Sequence, residues 1–543
     1  MSLNQSQQST TVVEGLGPKR RGQESSTALI PVPQSVDESE GKFLVDAKTA
    51  IVIVGDAGCE AEYLRRCLAQ STGVPIPIMP LSQPIPEGAI VLRVDDGLTS
   101  IAKEGYRLES TPERVSIDAV DNAGLFYGVQ TLLQLLPASV FSTVSTELSI
   151  PCLTIEDHPQ FSWRGLMLDV CRYFMPLDFV KRLIDLMAMH KLNVLHLHLT
   201  DDQGWRVEIK KYPRLTEIGA FRPETLVGHL DDNRAEPRFD GAPHGGFYTR
   251  DELRDLVDYS RSRHIDIMPE IEMPGHAQAA VAAYPELGNT GRQIEVGTTW
   301  GVMEDIFNAE ESTIEFLQDV LTEVMDIFPF RYIHIGGDEA VKTQWKASAA
   351  AQRRIRELGL SNENELQAYI VKRMDDFLTS RGRRLVGWDE IIEGGLAKNA
   401  TVMSWRNELG GIDASNRGHD VIMAPVHQTY LDLRQAEELD DEPIAQEGYL
   451  PIEKVYRYHP VPSAIAADKV HHILGAQAQV WTEYIPTPAH VEYMVFPRLC
   501  AFAEVCWSSN AERDFEEFRS RLETHLRRLD ALSVNYRRLD PGR

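Results

Sequence analysis

The chain has 543 residues, 43% of them apolar and 8% aromatic, which is enough for more than one core. Its 55 basic and 81 acidic residues give a net charge of −26 spread along the chain, which argues against nucleic acid or an anionic membrane as the main partner, since both need a basic face. Six cysteines, at 59, 67, 152, 171, 500 and 506, form no CxxC pair, so free buried thiols are expected rather than a zinc ribbon or a disulfide scaffold. No run approaches the roughly eighteen apolar residues of a membrane span. Nor do the first residues hold the apolar run of a secretion signal, so a cytoplasmic setting is the expectation.

Residues 1–27 are polar, Ser/Gln-rich and aperiodic, which predicts a disordered tail. Residues 28–152 mix β-branched runs at 49–54 and 89–94 with a helical pattern at 60–69. A hairpin is predicted around Pro112, and an amphipathic helix over 124–136 stops at Pro137. This predicts a smaller α+β domain with an antiparallel sheet and no catalytic role. From Trp163 onward, strand-like runs at 164–170, 193–199, 264–271, 332–337, 384–388, 401–405, 420–424 and 475–481 alternate with helical patterns or long loops. The helical patterns include 177–190, 251–263, 312–327, 363–381 and 490–506, with more helix from Asp514. Eight such repeats predict a parallel sheet with right-handed crossovers, most simply a (β/α)8 TIM barrel over 153–543. A doubly wound open sheet is the alternative, although no GxGxxG or Walker loop opens any helix.

In such a barrel the carboxyl ends of the strands face one site. Those ends are rich in acids and aromatics: Asp201 and Asp202, Glu270, Glu272 and His276, Asp338 and Glu339, then Trp388, Trp405, Tyr430, Asp432, Trp481 and Glu483. Arg164 and Asp169 belong to the first strand. The stretch RYIHIGGDEA (331–340) is the most telling. Neighbouring side chains on a strand point to opposite faces, so Asp338 and Glu339 can share a site only if Gly336 and Gly337 let the chain turn. Three tryptophans at equivalent strand ends suggest an aromatic-walled pocket, and aromatic faces ringed by carboxylates suit a sugar. The rival is a divalent metal site from His196 and His198 with His276 and Asp338; against it, the pair lies mid-strand and reads as core histidines satisfied by hydrogen bonds.

RGLMLDVCRYF (164–174), KLNVLHLHLTDDQGWR (191–206), IMPEIEMPGH (267–276) and YIHIGGDEA (332–340) resemble glycoside hydrolase family 20, the β-N-acetylhexosaminidases. The likeness continues through GW (387–388), YLD (430–432), WTE (481–483) and FPRLCAFAEVCW (496–507), and into the first domain at EGYRL and GLFYGVQTLLQLLP. The resemblance implies a (β/α)8 barrel behind a smaller α+β domain, no cofactor and no metal. It implies exo-acting, substrate-assisted retaining hydrolysis of terminal β-linked GlcNAc or GalNAc, an exception to the two-carboxylate scheme. By position, Glu339 would be the general acid, Asp338 would orient the acetamido group, and Tyr430 would bind its oxygen. Trp388, Trp405 and Trp481 would wall the acetamido methyl. Arg164, Asp432 and Glu483 would hold sugar hydroxyls, with Asp201 and His276 behind Glu339. The implied partner is a small carbohydrate or glycoconjugate, and a homodimer stays open. So do a disaccharide-releasing relative of the lacto-N-biosidase kind, a metal-dependent barrel hydrolase and a non-catalytic sugar-binding protein. Many relatives carry a tryptophan after YLD; residues 433–450 here are acidic and carry none, which leaves the leaving-sugar platform unassigned.

Overall fold

A computed structural model of the chain describes residues 27–73, 75–142, 148–233, 235–438, 442–509 and 513–539. The expected disordered tail, Thr27 apart, lies outside the described residues.

Seven strands build the first sheet: β1 (Ser35–Val45), β2 (Ala50–Val54), β3 (Ile78–Pro80), β4 (Ala89–Val94), β5 (Tyr106–Ser110), β6 (Arg114–Ala119) and β7 (Leu148–Asp157). Their order is β1-β7-β5-β6-β4-β2-β3. The sheet is mixed, which corrects the antiparallel expectation. Pairs β1/β7, β7/β5 and β5/β6 are antiparallel. Pairs β6/β4, β4/β2 and β2/β3 are parallel. Helix α1 (Gly58–Thr72) follows β2 and carries the chain back to start β3 in the same direction, as a helical crossover must. Helix α2 (Asn122–Leu135) is buried along most of its length. Asp121 caps it by accepting a hydrogen bond from the Gly124 N–H (2.8 Å), and it ends just before Pro137.

The eight later runs form a closed parallel barrel: β8 (Trp163–Asp169), β9 (Val194–His198), β10 (Asp266–Glu270), β11 (Tyr332–His334), β12 (Arg384–Trp388), β13 (Thr401–Ser404), β14 (Val421–Met423) and β15 (Ile473–Ala478). Every residue of β8 and β9 is buried, as expected of strands covered on both faces. The outer layer includes α3 (Leu177–Met189), α4 (Arg250–Arg261), α5 (Glu311–Ile327) and α6 (Glu363–Ser380). Helix α3 turns Val180, Leu183, Ile184 and Met187 to the core, an i, i+3, i+4, i+7 stripe. The single helix predicted over 490–506 is two, α7 (Pro488–Val495) and α8 (Arg498–Trp507). Pro497 sits between them, and a residue without an N–H cannot continue the first. Helix α9 (Phe515–Ala531) is capped by Asp514, which accepts from the Glu516 N–H at 2.9 Å.

Arg164 belongs to this architecture rather than to the pocket, a correction to the sequence reading. It is the second residue of β8, at the amino end of the barrel, and is fully buried. Its guanidinium donates to the carbonyls of Lys191 and Phe161 (2.8 Å each), to Glu104 (2.8 Å) and to the Tyr127 hydroxyl (2.9 Å). Glu104 and Tyr127 lie in the first domain, so Arg164 ties the two domains together.

Candidate active site

A cavity of about 410 Å³ opens at the carboxyl ends of the barrel strands. Asp201, His276, Asp338, Glu339, Trp388, Trp405, Tyr430, Asp432, Trp481 and Glu483 all line it. Of the residues given a catalytic or sugar-binding role in the sequence, only Arg164 falls elsewhere; Asp169, His196, His198, Asp202, Glu270 and Glu272 lie behind the lining.

The Asp-Glu pair emerges from β11 through two glycines in left-handed conformations, Gly336 (φ 65°) and Gly337 (φ 96°). A Cβ on Gly336 would stand 1.6 Å from Glu272 Oε2, so any other residue must displace that carboxylate or the turn as well as adopt a strained angle. The turn gives the two acids different surroundings: the side chain of Asp338 is 11% exposed and that of Glu339 is 38% exposed. Burial, with the nearby Glu339 and Glu270 carboxylates, pushes the Asp338 carboxyl up to about 7 against the pull of His276. Its Oδ1 finds no hydrogen-bond partner among the described residues. His276 faces both acids, with Nε2 at 3.6 Å from Asp338 Oδ2 and 3.5 Å from Glu339 Oε2. Its Nδ1 lies 3.1 Å from Asp202 Oδ2 and 3.3 Å from Asp201 Oδ1. Burial opposes a charge on this imidazole, but the surrounding carboxylates hold it well above its ordinary range.

The aromatic walls are fixed by their own hydrogen bonds. Trp388, the last residue of β12, donates its indole N–H to Glu270 Oε1 at 2.9 Å. Trp405 donates to Glu390 Oε2 at 2.8 Å. Burial and the Asp338 charge push Glu390 up to about 8. Trp388 and Trp481 meet at 5.9 Å between ring centroids, while Trp405 stacks on Tyr430 at 6.2 Å and 24°. Tyr430 is itself joined to the barrel rim by a parallel bridge to Gln479.

The arginine that the pocket does contain is Arg172, which sequence reasoning missed. The signal was present: it stands three residues after Asp169, where β8 ends, in LDVCRYF. Its guanidinium reaches Asp201 at 2.9 Å, Asp169 at 3.1 Å and Glu483 at 3.6 Å, and lies 5.1 Å over the Trp481 ring. Opposite, Asp432 Oδ1 and Glu483 Oε2 are buried and unpartnered among the described residues. Burial raises both carboxyls, each further raised by a neighbouring carboxylate. The outer wall comes from loops with no sequence signal of their own: His229 stacked on Tyr484 (5.1 Å, 14°), together with Leu230 and Trp300.

His196 and His198 lie under the cavity floor. His198 presents Nδ1 to Glu270 Oε2 and Nε2 to Asp201 Oδ2 (2.9 Å), so both nitrogens act as donors. Burial alone would depress it, yet the Glu270 and Asp201 carboxylates lift it to about 10. His196 Nδ1 accepts from Gln477 Nε2 at 2.9 Å and its Nε2 lies 3.1 Å from Glu270 Oε2. His196, Glu270 and His334 bring ligand-type atoms within 4.8 Å of one another, as do Asp201, Asp202 and His276. In the first group Glu270 already accepts from His198 and the Trp388 indole; in the second the carboxylates favour the protonated His276 imidazole, a charge state that does not suit a metal ligand.

A family model described as glycosyl hydrolase family 20, catalytic domain, matches residues 161–510, and one described as domain 2 of the same family matches 26–158. A β-hexosaminidase of Porphyromonas gingivalis is 45% identical over 94% of this chain, and the chain spans 64% of that relative's length. A β-N-acetylhexosaminidase of Cellulomonas fimi is 32% identical, with 92% of this chain and 93% of the relative covered. The crystal structure of an exo β-N-acetylglucosaminidase from Vibrio harveyi in complex with N-acetylglucosamine superposes with a TM-score of 0.82 at 34% identity, covering 94% of this chain and 78% of that one.

Proposed function

The chain belongs to glycosyl hydrolase family 20, and from that premise we propose that it is an exo-acting β-N-acetylhexosaminidase, releasing terminal β-linked GlcNAc or GalNAc from oligosaccharides or glycoconjugates. The observation that carries this reading is the adjacent pair Asp338 and Glu339, set in different environments inside a cavity walled by Trp388, Trp405 and Trp481. Two acids with separate surroundings suit two separate tasks on one sugar.

The 2-acetamido oxygen of the substrate attacks the anomeric carbon from within the tryptophan-walled part of the cavity. Asp338 holds the acetamido N–H and balances the positive charge that develops on the ring closing to an oxazolinium. Tyr430 donates to the acetamido oxygen. Glu339, the more exposed acid, protonates the departing glycosidic oxygen and then draws a proton from the water that opens the intermediate, retaining configuration at the anomeric carbon. Arg172, rather than Arg164, joins Asp432 and Glu483 in holding the sugar hydroxyls; its planar donors match their oxygens, and the unpartnered carboxyl oxygens accept. The partner is thus a neutral or weakly charged carbohydrate, consistent with a chain at −26, and no helix among the described residues is long and apolar enough to cross a membrane.

The decisive assay is release of an aryl group from aryl β-GlcNAc, with aryl β-glucoside as control. The expected result is turnover of the first alone, unchanged by EDTA. Equal cleavage of the glucoside would remove the substrate's acetamide from the mechanism, loss of activity in EDTA would favour a metal hydrolase, and binding without release would leave only a sugar-binding protein.

A further inference from the structure

Below the cavity floor, one carboxylate is shared between two parts of the site. Glu270, the last residue of β10, is fully buried and is not among the residues that line the cavity. Its Oε1 accepts the Trp388 indole N–H at 2.9 Å, and its Oε2 accepts His198 Nδ1–H. His198 passes to Asp201 Oδ2 at 2.9 Å, Asp201 Oδ1 lies 3.3 Å from His276 Nδ1, and His276 Nε2 lies 3.5 Å from Glu339 Oε2. An unbroken polar path therefore runs from the Trp388 wall to the exposed acid.

Each link leaves its members little freedom. An indole N–H can only donate, so Glu270 fixes the tilt of the Trp388 ring. His198 stands between two carboxylates and needs a proton on each nitrogen, so it cannot turn without breaking one contact. A buried carboxylate left without its donors would be strongly unfavourable, which locks the arrangement from below. Arg172 and Asp202 add to Asp201 and His276 from the remaining sides.

We infer that Glu270 is a positioning residue for the reaction proposed above: one carboxylate that sets both the Trp388 wall against the acetamido group and, through His198 and Asp201, the His276 that faces Glu339. It rests on that functional reading. Its distinctive consequence is coupling, because a change at Glu270 must disturb acyl-group recognition and proton transfer together.

The test compares Glu270→Met, which can accept from neither donor, with Glu270→Gln, which keeps one good acceptor for two donors. Three substrates are used: aryl β-GlcNAc, the same glycoside with N-propionyl in place of N-acetyl, and chitobiose. For Glu270→Met, kcat/KM on chitobiose should fall on the order of 100-fold, with a smaller fall on the activated aryl glycoside. The wild-type discrimination against one extra methylene, on the order of 10–200-fold, should shrink in the same variant as the wall loosens. Loss of folding stability alone moves neither ratio. The inference is overturned if Glu270→Met leaves either ratio at its wild-type value. If that variant does not fold, Glu270→Gln decides: a shift in at least one ratio supports the inference, and no shift in both overturns it. A wild-type chain inactive on aryl β-GlcNAc would instead bring down the functional reading, so the two failures are distinguishable.

Discussion

His276 Nε2 lies 3.5 Å from Glu339 Oε2, and both residues hold left-handed backbone angles, φ 48° and 44°. Neither is glycine, so each conformation opposes the ordinary preference of an L-residue by about 1–2 kcal/mol. Two such residues facing one another where β10 and β11 run out are strain held in place by the surrounding structure, a pattern that concentrates at functional sites. At this turn the Glu339 side chain is 38% exposed while that of Asp338 stays at 11%.

Glu339→Gln should lower kcat/KM on chitobiose by about 10²–10⁴, the usual worth of a positioned acid. Aryl glycosides with good leaving groups should lose much less, because they need little protonation. Thermal stability should barely change, since the side chain is 38% exposed. Leaving-group dependence measured over a series of aryl glycosides checks this, and a uniform loss across the series would remove Glu339 from the acid role.

Asp338 yields a prediction with a definite sign. Its carboxyl titrates near 7 in the folded chain against an ordinary 3.8. Between those values the folded state keeps a proton that the unfolded chain has released, so the group's contribution to stability is full below about pH 4 and is lost as pH rises through 7. Asparagine cannot ionise. Asp338→Asn should therefore be more thermostable than wild type at pH 8, by about 2 °C or more, with the gap closing toward pH 5. Its activity should fall at every pH. Paired melting curves at the two pH values settle the sign, and a constant gap would show that Asp338 does not titrate in this window.

The barrel was legible because strand and helix periodicities alternate for some 350 residues, and all eight strands fall where the apolar runs lie. Its site was legible because a barrel gathers strand ends, so Trp388, Trp405 and Trp481 could be grouped without contacts. What failed has physical reasons. Arg164 lies at the amino end of β8 and Arg172 follows its carboxyl end, so the strand-end rule by itself favours Arg172, whereas the role implied by the resemblance was carried to Arg164. The parallel half of the first sheet depended on α1 acting as a crossover, which periodicity alone does not reveal. His229, Trp300 and Tyr484 come from loops, whose paths have no periodic signal.

The two arginines can be separated by experiment. Arg164→Met breaks a buried ion pair between the domains and should lower stability by about 3–5 kcal/mol, leaving KM of the folded fraction unchanged. Arg172→Met removes the cation that faces Asp169, Asp201 and Glu483 in the cavity, and should reduce kcat/KM by an amount on the order of 2–5 kcal/mol. Chemical denaturation with steady-state kinetics on each variant provides both readouts. The opposite pattern, with KM raised by Arg164→Met and untouched by Arg172→Met, would restore the assignment first read from the sequence.

Gly336 separates backbone strain from steric displacement. At φ 65° an alanine is unfavourable anywhere, and here its Cβ would also stand 1.6 Å from the buried Glu272 Oε2. Gly359 has nearly the same angle, φ 69°, with nothing within 4 Å of the added carbon. Gly359→Ala should therefore lose only the backbone contribution, about 1 kcal/mol, and keep full activity. Gly336→Ala must push either Glu272 or the turn itself, and the turn carries Asp338 and Glu339. A shift on the order of 1 Å there is enough to lower kcat about 100-fold. Melting temperature and kcat measured on both variants give the comparison. Equal effects on kcat would mean that the glycine serves only its backbone angle; a loss confined to Gly336→Ala means that the close approach of Glu272 is what holds the two acids in their separate places.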